Sequence, residues 1–340
     1  MDCALAAIRD MIAEGIAQRM FPGAAIYVSR GGEVLLHESL GATAYEPGVS
    51  RPVGLDDLFD LASLTKLYTT ALVLRLVEKG LLALEDPVCT HVPEVVAGWT
   101  VEDLLAHRTG TTADLLGEAT RHGIRPCELG QETALWSVIF GCKPVVELAP
   151  GQSHYSDVDL LLAQAVCERA TGRGLASLMA SEVFDPLGLG DTGFCPPERG
   201  RCVPTELDDH WRHRLVVGEV HDEMAATLGG VAGHAGLFAS AADVGRFCEM
   251  WLDRGRLGIA FEPHSDHFGL GWRLCNASFF PTLERDGAVG HLGFTGTSAF
   301  LFPRSETVFV LLTNRVHPRR DAAPSRLPLL ARVGEAIAGQ

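Results

Sequence analysis

Lysine is scarce in this sequence: of 28 basic residues in 340 only three are lysines, Lys66, Lys79 and Lys143. Nowhere do Lys and Arg cluster, and the formal net charge is -15. Nucleic acid is therefore excluded as the main partner, because phosphate binding needs concentrated cations. Long hydrophobic runs are missing too; no stretch approaches the roughly 20 apolar residues that cross a bilayer, so no membrane partner is expected. The nine cysteines (3, 89, 127, 142, 167, 195, 202, 248 and 275) are odd in number and show no Cys-x-x-Cys or Cys/His zinc spacing. That pattern predicts free thiols in a reducing compartment and no metal site. His-Glu-x-x-His and Gly-x-Ser-x-Gly are both absent, which leaves zinc-dependent and nucleophile-elbow hydrolysis without motif support. The glycine-rich run 229–236 lacks Gly-Lys-Ser/Thr and any Gly-x-Gly-x-x-Gly, so it reads as a tight structural loop rather than a nucleotide cradle. No cofactor is implied.

Hydrophobic residues at 47% and charged residues at 21% describe a globular chain with enough apolar material for a large core. The first nineteen residues carry acids at Asp2, Asp10 and Glu14 and apolar residues at Leu5, Ile8, Ile12 and Ile16. Their spacing is helical rather than that of a signal peptide, and predicts a cytoplasmic protein. Residues 24–29 and 33–38 read as a hairpin around Arg30-Gly31-Gly32. β-rich segments resume only at 269–275, 297–303 and 307–313, before a closing helix over 327–337. Between them the pattern is helical, at 63–80, 101–107, 157–171 and 175–184. The fold class expected is α+β: one antiparallel sheet built from N- and C-terminal segments (about 1–60 and 265–340), flanked by helices, with an all-α lobe (about 63–195) inserted. A loop-rich connection covers about 196–264. All of this is read as a single domain, 1–340, with a site in the cleft between lobes.

Ser63-Leu64-Thr65-Lys66 opens the first long interior helix, and residues three apart on a helix share a face. The hydroxyl and the amine can therefore meet. Serine is a weak nucleophile until a base takes its proton, and a lysine can do so if burial or neighbouring cations hold it neutral. At a helix start, free backbone N–H groups also favour developing negative charge. Alone, the tetrapeptide fits a capping serine and a solvated lysine equally well.

Two further strings follow in order: Tyr155-Ser156-Asp157, and His291-Leu292-Gly293. With Ser63-Leu64-Thr65-Lys66 they resemble the three motifs of the serine β-lactamase and penicillin-binding-protein superfamily, in its class C and esterase-like group. Phe59-Asp60-Leu61-Ala62, His107-Arg108-Thr109-Gly110, Pro186-Leu187-Gly188-Leu189 and Phe268-Gly269-Leu270-Gly271-Trp272 match other landmarks, so the resemblance spans about residues 20–315. Val220-His221-Asp222-Glu223, the 229–238 string and Leu312-Thr313-Asn314-Arg315 are similar to relatives linked to muropeptide amidases and esterases.

The resemblance implies a β-lactamase/transpeptidase-like fold and acyl transfer through a Ser63 acyl-enzyme. Lys66 and Tyr155 are the implied catalytic partners, and Asp157, His291, Gly293 and Phe294 line the substrate and oxyanion positions, Phe294 donating its N–H beside that of Ser63. A cationic Lys66 is expected to lower the Tyr155 phenol pKa. Asp157 stands where penicillin-recognising members carry Asn; ionised, it would raise the Lys66 pKa and repel an acidic ligand, and it also suits an N-cap for a helix from Val158. His291 is expected to orient substrate or add positive potential, and Gly293 to admit the substrate backbone. His107 and His234 read as structural. The expected substrate is a small ester, amide or muropeptide, acted on by an esterase or an amidase/peptidase. A class C-like β-lactamase or a D-Ala-D-Ala carboxypeptidase is the alternative, and a non-catalytic binding or assembly protein is the rival of another class.

Overall fold

A strand covered on both faces should be apolar throughout, whereas a strand with one wet face alternates. Gly23–Arg30 and Thr307–Thr313 are of the first kind, the latter buried at every residue. They lie at the centre of a six-stranded antiparallel sheet in the computed structural model, which describes residues 2–252, 258–321 and 324–339. The order runs Glu33–Gly41, Gly23–Arg30, Thr307–Thr313, Ser298–Phe302, Val289–Leu292, Arg273–Leu274. The chain's two ends thus meet in adjacent strands, registered from Ala24 opposite Thr313 to Arg30 opposite Thr307.

Successive side chains of a strand point to opposite faces, so the sheet feeds two cores. Ile26, Val28, Phe309 and Leu311 pack with Ile8, Ile12, Leu330 and Val333 of the terminal helices Asp2–Ala17 and Leu327–Ala338. Ala25, Tyr27, Val310 and Leu312 instead join Val244, Phe247 and Trp251 of Ala241–Leu252, together with the interior helices. Gly245 is glycine for a reason: a Cβ there would sit 2.3 Å from the Tyr27 ring.

The helices Thr65–Glu78 and Asp157–Thr171 pack on each other as the spine of the inserted lobe, each buried over most of its length. These spans, the hairpin and the closing helix follow the sequence reading closely, and the α+β fold class holds. Three expectations change. The stretch 269–275 contributes only the two-residue strand Arg273–Leu274, because Gly271 takes φ +73 and turns the chain against Thr70. The connection at 196–264 is not uniformly loop-rich: it holds the helices Glu223–Thr227 and Ala241–Leu252 and the strand Leu237–Ala239, which pairs with Phe59–Asp60 directly before Ser63. Residues 253–257 of that stretch lie outside the described residues. Finally, Ser156 caps Asp157–Thr171, its side chain accepting from Val158 N, so Asp157 is the first helical residue and not the cap. Among the described residues no helix is long and apolar enough to cross a membrane.

Candidate active site

The backbone before the nucleophile is strained. Ala62 has φ +47, a left-handed conformation that costs a residue with a Cβ about 1–2 kcal/mol. It is held there from several directions. Asp60 Oδ1 accepts the Ala62 N–H at 2.8 Å, Thr295 Oγ1 donates to Asp60 O at 2.7 Å and Thr297 Oγ1 to Leu61 O at 2.9 Å. The turn Ala62–Leu64 then presents Ser63 just ahead of Thr65–Glu78.

Lys66, fully buried, lies one helical step beyond. Its ammonium donates to Ser63 Oγ at 2.9 Å and His234 O at 3.1 Å, and forms an ion pair with Asp157 Oδ1 at 2.7 Å. Burial by itself would lower the Lys66 pKa, but Asp157 and then Tyr155 outweigh it and hold the amine above its ordinary value. The direction is the one expected of an ionised Asp157, and it favours the charged form of the amine.

Tyr155 sits in the loop before the capping Ser156. Its ring lies 4.7 Å from that of His107, 6.1 Å from Phe268 and 6.1 Å from His291, and Lys66 Nζ stands 5.1 Å from its centroid. Hydrogen bonding links the phenol to Lys66 and Ser63. Burial is the largest influence and pushes the phenol up; the Lys66 cation lowers it, as expected, but is outweighed. His107 is packing with a purpose, its Nδ1 2.9 Å from the buried Asp159 carboxylate and its ring supporting Tyr155.

The opposite wall comes from Val289–Leu292 and the turn after it. His291 is buried, and its pKa is well below the usual imidazole value, chiefly through burial and then the Lys66 cation. A neutral ring can orient a substrate, and this direction favours that role over adding positive potential. Gly293 is required by its own neighbours: a Cβ would come within 2.0 Å of Thr297 Oγ1 and 2.5 Å of Leu61 O. The close approach is thus of the nucleophile's own turn. Phe294 is half exposed, and its carbonyl accepts from Arg315 Nη1 at 3.3 Å.

These groups surround one cavity of about 420 Å³ lined by Ser63, Tyr155, His291, Gly293 and Phe294 together with Phe268, Phe279, Leu292, Arg273, Arg315 and Arg326. The arginines were not anticipated. Among the described residues none of the three has a carboxylate partner, and burial lowers the pKa of each, that of Arg326 to about 10. Arg326 is 8% exposed, donates to Gly293 O at 2.7 Å, and leaves its Nε without a partner; Arg273 Nε is likewise buried and unpaired. No sequence signal singled them out, since they are three of 25 arginines spread over 53 positions.

An antiparallel sheet with an inserted helical lobe, and a serine and lysine joined at the cleft between them, define a serine hydrolase of the β-lactamase and penicillin-binding-protein type. A model of the family described as Beta-lactamase matches residues 8–332, and the chain belongs to that family. A putative D-alanyl-D-alanine carboxypeptidase of Escherichia coli K12 is 29% identical over 348 residues, spanning 87% of this chain and 79% of that protein. Among solved structures, EstCE1, a hydrolase with promiscuous acyltransferase activity, is similar at TM-score 0.76 and 21% identity over 99% of both chains. A class C beta lactamase is similar at TM-score 0.74 and 16% identity over 98% of both. At such identities these two likenesses speak for the fold. The protein is an enzyme, so the non-catalytic alternative falls away.

Proposed function

We propose that the protein hydrolyses a small amide or ester bearing a carboxylate, through a Ser63 acyl-enzyme, as a peptidase or muropeptide-amidase rather than an esterase for neutral substrates. The observation that carries this reading is one cavity lined by Ser63 and Tyr155, with Lys66 buried behind Ser63, and by three arginines that have no acidic partner among the described residues. Arg326 is buried and Arg273 and Arg315 are half-buried, and a desolvated cation without a counter-charge is costly unless an anion completes it. Asp157 does not spoil this, because Lys66 neutralises it.

The productive state is the minor one in which Tyr155 is phenolate beside the Lys66 ammonium, since burial raises the phenol pKa. As Ser63 Oγ bonds to the substrate carbonyl carbon, its proton passes to Tyr155. The backbone N–H groups of Ser63 and Phe294 receive the oxyanion, Arg315 and Arg326 steadying the peptides around Gly293 and Phe294. Tyr155 then protonates the departing nitrogen or oxygen, leaving acyl-Ser63. Water, giving one proton to Tyr155, attacks that ester; as the acyl carbon–Oγ bond breaks Tyr155 passes the proton to Ser63 Oγ, so the acid leaves and both the serine hydroxyl and the phenolate are restored. His291 orients the substrate as a neutral ring.

A D-Ala-D-Ala carboxypeptidase is the second reading, favoured by the same arginines, since its substrate ends in a free carboxylate. The test is a matched pair: a short D-Ala-D-Ala peptide and its C-terminal amide, with a neutral nitrophenyl ester as reference and Ser63→Ala as blank. Faster turnover of the free acid by tenfold or more is expected. Equal turnover of acid and amide, or preference for the neutral ester, would overturn the carboxylate assignment.

A further inference from the structure

Two strings that stand out in the sequence, His221-Asp222-Glu223 and the glycine-rich 229–236, take no direct part in this chemistry, yet they converge behind Lys66. His221 and Glu223 are engaged elsewhere: His221 Nε2 lies 2.8 Å from Glu206 Oε2 with its ring 5.6 Å from that of Phe294, and Arg320 bridges Glu206 and Glu223. Asp222, between them, points inward. Its Oδ1 caps the helix Glu223–Thr227 by accepting Ala225 N at 2.7 Å, and lies 3.0 Å from His234 Nε2.

His234 is 1% exposed and sits on a loop pinned between the two spine helices. Thr69 Oγ1 donates to Gly233 O at 2.7 Å, and Gly233 N donates to Gln164 Oε1 at 2.8 Å. A Cβ on Gly233 would meet Leu160 O at 2.3 Å. With Gly233 wedged in this way, the loop turns the His234 carbonyl onto the Lys66 ammonium. Donor atoms of Asp157, Asp222 and His234 all lie within 4.8 Å of one another, so Lys66 faces a second carboxylate behind the first.

We propose that Asp222 and His234 are a positioning pair: the imidazole, tethered by Asp222, fixes the carbonyl that aims Lys66 at Ser63, and the Asp222 charge helps keep that amine protonated. The inference rests on the serine-hydrolase reading above. The charged and titratable groups facing Lys66 are Asp157 and Tyr155 from the start of Asp157–Thr171, Asp222 and His234 from the loops around Glu223–Thr227, and His291 from Val289–Leu292. Asp222 in turn is held well below the usual carboxylate range: burial opposes this, but His234 and Lys66 both favour its charge. Removing one negative charge from this set lowers the proton affinity of both Lys66 and Tyr155, so the pH profile should move towards acid.

Asp222→Asn tests this with little damage, because Asn is as good an N-cap as Asp and still offers His234 an acceptor. The full chain is first labelled with a fluorophosphonate probe; failure of the wild type to label at Ser63 would sink the hydrolase reading itself, independently of the pair. With labelling in hand, kcat/KM for a nitrophenyl ester is followed from pH 5.5 to 10. The ascending limb of Asp222→Asn is expected to lie roughly one pH unit below the wild type, with KM changed less than twofold. His234→Ala is expected to lose about tenfold or more in kcat, and His234→Gln, which keeps a donor for Asp222, to recover most of it. A limb that stays put in Asp222→Asn overturns the charge role. Should that variant fail to fold, wild-type kcat and profile in His234→Ala overturn the pair.

Discussion

On the helical wall of the cleft, charge is cancelled locally: Lys66 meets Asp157 at 2.7 Å, with Asp222 behind it, and the ammonium also donates to Ser63 Oγ and His234 O. On the strand wall, Arg273, Arg315 and Arg326 stand in or beside the same 420 Å³ cavity with no carboxylate among the described residues to balance them. Two buried arginine Nε atoms even lack a hydrogen-bond partner. The difference separates two tasks. A charge satisfied within the protein can tune a reaction but has nothing left to offer a ligand, whereas an unsatisfied one is poised to be completed by an anion.

The division breaks most easily at Tyr155. If the helical wall does the proton transfer, Tyr155→Phe should lower kcat/KM by about 10²- to 10⁴-fold with KM within about threefold, since the ring and its packing on His107 and Phe268 remain. Steady-state kinetics on the nitrophenyl ester measure this. A loss below tenfold would return the base role to Lys66, against the direction in which Asp157 shifts its amine.

The strand wall is probed next, by Arg273→Gln. It should raise KM for the D-Ala-D-Ala peptide by about 10- to 100-fold, in line with about 1.5–3 kcal/mol for a hydrogen bond to a charged group, and leave the neutral ester within about twofold. Arg315 and Arg326 are less suited, because they also hold Phe294 O, and Gly293 O and Thr297 O, respectively. If both substrates suffer alike, the arginines are scaffolding and the two walls do not differ in task.

The two walls also differed in how far the sequence betrayed them. Ser63 and Lys66 are three residues apart, a spacing that lets them meet but fits a cap and a solvated lysine equally well, so the later motifs decided the pair. Tyr155, Asp157 and His291 became legible through the order of short motifs, and the structure brings all three to the same cleft. The arginines lie at 273, 315 and 326, on a short strand, after the central strand Thr307–Thr313 and before the last helix; only the sheet order makes them neighbours. The Asp222–His234 contact spans Glu223–Thr227 and a glycine-rich turn, whose course depends on close approaches such as that of Gly233 to Leu160 O. Likewise Ala241–Leu252 hid within a stretch read as loop, although its Val244, Phe247 and Trp251 follow a helical spacing that buries one face under the sheet.

The smallest expected effect is also the one that most sharpens the comparison. Asp157→Asn keeps an oxygen acceptor 2.7 Å from Lys66 but removes the charge. Asp157 raises the pKa of Lys66 and, through its charge, that of Tyr155. Without it both fall, so the phenolate forms at lower pH and the ascending limb of kcat/KM should move acidward by about one to two units, further than in Asp222→Asn. At pH 7, on the rising part of the profile, activity should therefore hold or increase rather than drop, while KM for the carboxylate substrate changes by less than about threefold because the arginines are untouched. If the substitution instead lowers KM for the acid alone and leaves the limb in place, Asp157 acts on the ligand and not on the proton, and the helical wall shares the work of the strand wall.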